Sequence, residues 1–549
     1  MVSASQPLTQ VDPVVLQAIS RAAGSGNLKA AFDLAHQAIQ RGQQHPILFN
    51  ARALWLQQLG RLPEAADNFQ QARGFTPNDP NLLNALGLCL ARMNRTDEAV
   101  GVFEEAIALS PRVPQTHFHK GWALGQRGDQ KGARESYTRA INLDPNYAEA
   151  LAGIAALDAR EGNRESARQF AQKALRINPR EPTAVVALAM ADIAEGAFQA
   201  AEERLRPFLS DPSVGGQPRV LMLGLYADAM DGLDRPEEAF AAYRTKNEEL
   251  FRLHQPRFAG RRRAIDIFSD VASYLEQLPD RQPSASQETA ARGGDEPREH
   301  VFLLGFLRSG TTLLEQVLGS HPDVAVLEER ETLSDFAPAF LTEKNGLEKL
   351  ADLSEEELSK IRAQYWARVR EFGGEPAGKV FIDKQPLNTF NLPIIAKLFP
   401  HAKILFALRD PRDVVFSCFR RHFEVNATMF EFLRLDDAAR FYDVVMRVGT
   451  ASLKKFPMSV HRHRYEDMVE DFEKQVRAVC DFLGIAWDDS MRNFSESAKA
   501  REIRSPSVLQ VRRKLYREGV DQWRKYERQI AGILPILAPW AEKFGYPRD

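Results

Sequence analysis

Six alanines, Ala31, Ala65, Ala99, Ala133, Ala167 and Ala201, recur at a strict interval of 34 residues. Seven residues beyond each of the first five stands another alanine: Ala38, Ala72, Ala106, Ala140 and Ala174. Prolines close the units at Pro46, Pro77, Pro111, Pro145, Pro179 and Pro212, and one unit reads NLLNALGLCLARMNRTDEAVGVFEEAIALSP. Each unit holds two stretches of helical periodicity separated by a polar turn such as Asn94-Arg95-Thr96. Small residues belong where the two helices of a hairpin cross, because only a methyl group lets the backbones approach. Proline biases the residue before it away from helix and so ends the second one. One hairpin cannot bury its apolar face alone, so a chain with this period must stack its units.

The pattern resembles the tetratricopeptide repeat, in about six copies over residues 14–214, with a shifted seventh around Ala239 after Gly215-Gly216. The resemblance implies an all-α solenoid whose concave groove takes a peptide or protein partner. We place the solenoid over residues 14–251, and a helix and flexible linker over 252–299. Within that link, residues 264–278 read as one amphipathic helix, and 279–299 are rich in Pro, Gly, Ser and charge. The Arg261-Arg262-Arg263 run reads as a solvated face.

The whole chain, 549 residues, is long enough for further domains at roughly 150 residues each. With 72 Lys+Arg against 74 Asp+Glu there is no basic bias toward nucleic acid. Cys89, Cys418 and Cys480 are too few and too scattered for a disulfide framework or a zinc site. The start lacks a signal-like apolar core, and no stretch of about 18 apolar residues occurs. These features lead us to expect a cytoplasmic protein with no transmembrane segment.

A second domain, residues 300–549, opens with a short apolar strand, His300–Leu304, followed by Gly305-Phe306-Leu307-Arg308-Ser309-Gly310-Thr311-Thr312 and a helical LLEQVLGS. Strand, glycine-bearing turn and helix N-terminus form an anion cradle in which backbone N–H groups and the helix dipole converge on one oxyanion. The frame is that of a P-loop, G-x4-G-x-[ST], with Thr311 where the lysine belongs. Nucleotide triphosphate enzymes use that lysine against the charge of the β- and γ-phosphates. Its loss points to a less charged transferred group, or to a cation from elsewhere. Residues 403–421, KILFALRDPRDVVFSCFRR, form another strand with Arg409 at its C-terminal end, where α/β sheets bind ligands. Asp410 caps a helix with Pro411 first, and Ser417 and Arg421, four apart, would share a face of it. Arg409, Ser417 and Arg421 are thus candidates for a second phosphate, with Arg412 and Arg420 pointing elsewhere. Val380–Asp383 is a third strand ending at Lys384, and Glu328-Glu329 follows His321-Pro322-Asp323-Val324. The fold class expected here is α/β, P-loop-like, with a central parallel sheet.

Together these residues resemble the sulfotransferases that use 3′-phosphoadenosine 5′-phosphosulfate (PAPS), above all tyrosylprotein sulfotransferases and bacterial relatives fused to tetratricopeptide repeats. The resemblance covers residues 300–527. It implies that Arg308, Ser309, Gly310, Thr311 and Thr312 hold the 5′-phosphosulfate. Arg409, Ser417 and Arg421 would hold the 3′-phosphate, with Tyr465 and Ser507 on the adenosine diphosphate end. Lys384 in IDKQP would contact the sulfate and the leaving oxygen. Glu329, 21 residues after Arg308, would be the base, with Glu328 the alternative. No metal is implied. Glu331 stands where the tyrosylprotein enzymes carry an arginine, which leaves tyrosine, a small molecule, a lipid or a glycan open as acceptor. Two other readings compete: a P-loop kinase, and a repeat scaffold whose second domain binds nucleotide without turnover.

Overall fold

The computed structural model describes residues 11–279, 297–343, 345–494 and 519–547. The chain divides into two compact units, Met1–Leu233 and Asp234–Asp549. The first is all helical. Its hairpins begin with Pro13–Gly24 and Leu28–Gln40, Pro46–Gln58 and Leu62–Phe75, and Pro80–Arg92 and Thr96–Leu109. Pro114–Arg127 with Gln130–Leu143, Ala148–Glu161 with Arg164–Ile177, and Pro182–Ala194 with Phe198–Leu209 continue the series, and Gly216–Gly232 ends it.

The six register alanines are fully buried. Glycine serves the same close approach: a methyl group added at Gly87 would lie 2.6 Å from the Phe103 ring. Pro77, Pro111, Pro145 and Pro179 each stand just past a helix end, as expected, and stop it. Pro46 does not. It opens the helix Pro46–Gln58, where its missing N–H costs nothing. Adjacent units are also clamped by a polar ladder in the same register. Arg134 donates to Asp158 at 2.6 Å and Glu161 at 3.0 Å, and 34 residues on Arg168 pairs with Asp192 at 2.7 Å and Glu195 at 2.6 Å. Asp158 and Asp192 are buried, so each carboxylate needs its arginine.

The second unit starts earlier than the sequence pattern suggests. The helix Pro236–Phe258, counted above as the end of the solenoid, packs within this unit. Lys246 Nζ donates to Arg420 O at 2.8 Å, Asn247 Nδ2 donates to Phe419 O at 2.8 Å, and Phe251 lies 4.9 Å from Phe430. The helix Ala264–Gln277 follows, with Phe268 stacked 3.7 Å from Phe390. The Arg261-Arg262-Arg263 run is exposed, as expected, and Arg263 also pairs with buried Glu431 and, at 2.9 Å, with Asp437. Most of the expected linker lies outside the described residues.

The core of this unit is a parallel sheet of five strands: β1 (Glu299–Gly305), β2 (Val324–Glu328), β3 (Val380–Lys384), β4 (Lys403–Leu408) and β5 (Ser459–Arg464). Their order is β2-β3-β1-β4-β5. Val301 and Leu303 face one layer with Leu314 and Val317, while Phe302 faces Tyr365 and Phe399 on the other. Both faces are therefore covered, as a parallel sheet requires. The chain runs to one side after β1 and to the other after β4, so the ends of these neighbours flank the switch point where such sheets bind ligands. Among the described residues no helix is long and apolar enough to cross a membrane.

Gly305 sits where β1 meets β4, and a Cβ there would lie 2.3 Å from Ala407 O. Gly305→Ala is expected to destabilise the protein by about 1–3 kcal/mol through overpacking against backbone that cannot yield. Denaturant unfolding monitored by circular dichroism checks this, and an unchanged midpoint would refute it.

Candidate active site

The anion loop follows β1. Arg308 and Gly310 both take left-handed conformations, with φ of 68° and 88°, which turns the chain sharply into the helix Thr311–Gly319. Glycine suits the second position for two reasons: its φ, and a Cβ that would stand 2.8 Å from Tyr465 Cδ2. Tyr465 thus lies directly on the loop. Ser309, Thr311 and Thr312 are buried at the opening of the helix, at the positive end of its dipole.

A set of arginines closes on this loop from the end of β4. Arg409 Nη1 donates to Arg308 O at 3.1 Å, and Nη2 donates to Gly519 O. Its guanidinium lies 5.1 Å from the Tyr465 ring centre. Arg308 Nε donates to Ser417 Oγ at 3.1 Å. Asp413, buried and 3.7 Å from Arg409, is pushed up to about 6 by burial, an effect that Arg409 offsets. Arg421 follows one turn after Ser417. It caps the helix Pro411–Arg420: its N–H donates to Ser417 O at 3.2 Å, one turn back, and its backbone is extended. Its Nε, like that of Arg409, is buried with no hydrogen-bond partner among the described residues. Arg412 points away, as expected, pairing with Asp410 at 2.7 Å over the Trp523 ring. Ser507 lies outside the described residues.

The second cluster forms at the ends of β2 and β3. The Lys384 ammonium is 0% exposed and lies 2.7 Å from Glu329 Oε1, 3.0 Å from Glu315 Oε2 and 3.6 Å from Glu328 Oε1. Glu329 N–H donates to Lys384 O at 2.8 Å, extending the ladder one residue past β2. Its φ of 44° is in the left-handed region, a backbone cost that turns its carboxylate toward the lysine. Burial works to lower the Lys384 pKa, but the three glutamates outweigh it and the group sits above its ordinary value. Burial pushes Glu315 up to about 7, against the pull of Lys384 and with help from Glu328 and Glu329.

Glu315 was not among the residues singled out from the sequence. Its one signal there is a charge inside an apolar helical run, Leu313-Leu314-Glu315-Gln316-Val317-Leu318. Asp383, also buried, accepts from Thr332 Oγ1 at 2.7 Å and Tyr365 OH at 2.9 Å. It braces the strand from the opposite face to Lys384, because successive residues of a strand point opposite ways.

Removing the lysine leaves buried carboxylates without their cation, so Lys384→Ala is expected to cost about 3–5 kcal/mol near neutral pH. The pH dependence has a definite sign. A carboxyl raised in the folded state contributes stability that is present at low pH and is lost as pH rises through its folded value. Without Lys384 that loss runs further, so the gap between wild type and variant should widen from pH 5 to pH 8. Denaturant unfolding at both values measures it; a constant gap would contradict the coupling.

Comparison with known proteins agrees with this division. Residues 300–489 match the model of the Sulfotransferase family, residues 114–147 that of the Tetratricopeptide repeat, and residues 15–124 that of the Psidin N-terminal TPR repeats region. An uncharacterized protein of Aquifex aeolicus is 27% identical over 277 residues, 48% of this chain and only 35% of that protein. Protein-tyrosine sulfotransferase 1 of Danio rerio is 28% identical over 258 residues, 45% of this chain and 72% of its own length. Among solved structures, a tetratricopeptide repeat protein from Parabacteroides merdae has a TM-score of 0.37 at 14% identity, covering 43% of this chain and 92% of that one. The chain joins tetratricopeptide repeats to a sulfotransferase-family domain.

Proposed function

We propose that the second unit transfers a sulfuryl group from PAPS to an acceptor hydroxyl, and that the repeats bind a protein partner or the acceptor itself. The observation that carries this reading is where the cations stand. The anion loop holds no P-loop lysine, yet Lys384 lies at the end of the strand beside β1, and Arg409 at the end of the strand on its other side. A sulfuryl group in transfer carries less charge than a phosphoryl group, so fixed N–H groups and one ammonium can stabilise it without a metal clamp. The residues fit the donor in a second respect. Among the described residues, Arg409 Nε and Arg421 Nε are buried donors without a hydrogen-bond partner, as a site for a second phosphate requires.

PAPS would supply an activated sulfuryl group bonded to a 5′-phosphate oxygen. The loop N–H groups with Ser309, Thr311 and Thr312 would cradle that phosphosulfate, while Lys384 donates to the oxygen that leaves. Glu329 would take the hydroxyl proton as the acceptor oxygen bonds to sulfur and the sulfur–oxygen bond to phosphate breaks. General base catalysis of this kind contributes about 10² to 10⁴-fold. Arg409, Ser417 and Arg421 would clip the 3′-phosphate, and Tyr465 would line the nucleotide beside Gly310. Protein tyrosine is an acceptor class that the Danio rerio relative's name brings to this chain.

Two variants test the reading. Glu329→Gln should lose at least a hundredfold in turnover of PAPS while nucleotide affinity stays within about threefold; full activity would move the base elsewhere. Arg409→Ala should weaken 3′,5′-ADP by roughly thirtyfold more than 5′-AMP, the worth of about 2 kcal/mol for a charged hydrogen bond. Equal losses on the two nucleotides would remove the 3′-phosphate assignment.

A further inference from the structure

Lys384 is held from two sides. Glu329 and Glu328 approach it from the end of β2, whereas Glu315 approaches from the helix Thr311–Gly319, which opens on the anion loop. Glu315 lies one helical turn beyond Thr311, inside the layer that packs Leu314, Val317 and Leu318 against the sheet. Its other oxygen accepts from Gln316 Nε2 at 3.1 Å. An isolated carboxylate at such a depth would be costly, and the Lys384 ammonium is the cation that compensates it. The charged groups that face Glu315 are Lys384 on β3 and Glu328 and Glu329 at the end of β2; the other contacts of its helix in this layer are apolar.

Resting on the proposed PAPS reading, we propose that Glu315 is a positioning residue that ties the Lys384 ammonium to the helix of the anion loop. The cation that the loop sequence lacks is thereby fixed to the loop from a neighbouring strand. Glu315 touches neither donor nor acceptor in this scheme and acts through the lysine alone. Because it also helps to hold Lys384 above its ordinary pKa, it keeps the ammonium charged into alkaline solution.

The test is the affinity for 3′,5′-ADP, titrated calorimetrically from pH 7.5 to 10 in wild type, Glu315→Gln and Glu315→Asp, with circular dichroism at each pH as the check on folding. The amide keeps the shape and removes the charge. In Glu315→Gln the affinity should stay within about threefold of wild type at pH 7.5 and fall progressively further below it, severalfold, as pH rises to 10, because one of the three carboxylates that hold the Lys384 proton is gone. Glu315→Asp should recover part of that loss. A Glu315→Gln profile parallel to wild type, or a uniform loss at every pH, would overturn the proposal. Wild type that fails to bind 3′,5′-ADP at any pH would instead overturn the proposed function.

Discussion

A lysine ammonium with no solvent exposure is tolerable only when anions replace its water, and at Lys384 three glutamates do so. This one requirement links elements distant in sequence. Glu315 comes from the helix after the anion loop, Glu328 and Glu329 from the end of β2, and the lysine from β3. Three carboxylates against one ammonium leave an excess of negative charge, and burial answers by raising Glu315 to about 7.

The sheet order explains why the cluster lies near the anion loop. With β1 between β3 and β4, residues at the C-terminal ends of all three strands crowd one edge. The loop follows β1, Lys384 ends β3, and Arg409 follows β4. A loop without its own lysine can borrow cations from both neighbours. Gly305, at the end of β1, allows β4 to come close enough for Arg409 Nη1 to reach the loop carbonyl of Arg308.

Much of this was legible in the residues, for physical reasons that differ by region. The repeats show because a solenoid enforces one spacing on every buried contact. Strands β1, β3 and β4 show because strands covered on both faces are runs of apolar residues. The edge strands β2 and β5 do not: β5, Ser459-Val460-His461-Arg462-His463-Arg464, is polar, as suits an edge that must resist further pairing. The helix around Ala239 keeps a repeat-like pattern while it falls within the second compact unit, so spacing alone does not mark the division between the two. Arg409 follows β4 and Ser417 lies on the next helix, and Arg421 is that helix's C-cap, a boundary that spacing alone cannot locate. Glu315 was missed because a single charge in an apolar helix has no partner until the strands are assembled.

The central claim is that this unit binds a nucleotide carrying a 3′-phosphate and needs no metal to do so. Calorimetric titration of the whole protein with 3′,5′-ADP and, separately, with ATP, both in EDTA, tests it most directly. Micromolar binding of 3′,5′-ADP with none of ATP is the result expected. Binding of ATP in preference, or of neither nucleotide, would contradict the account.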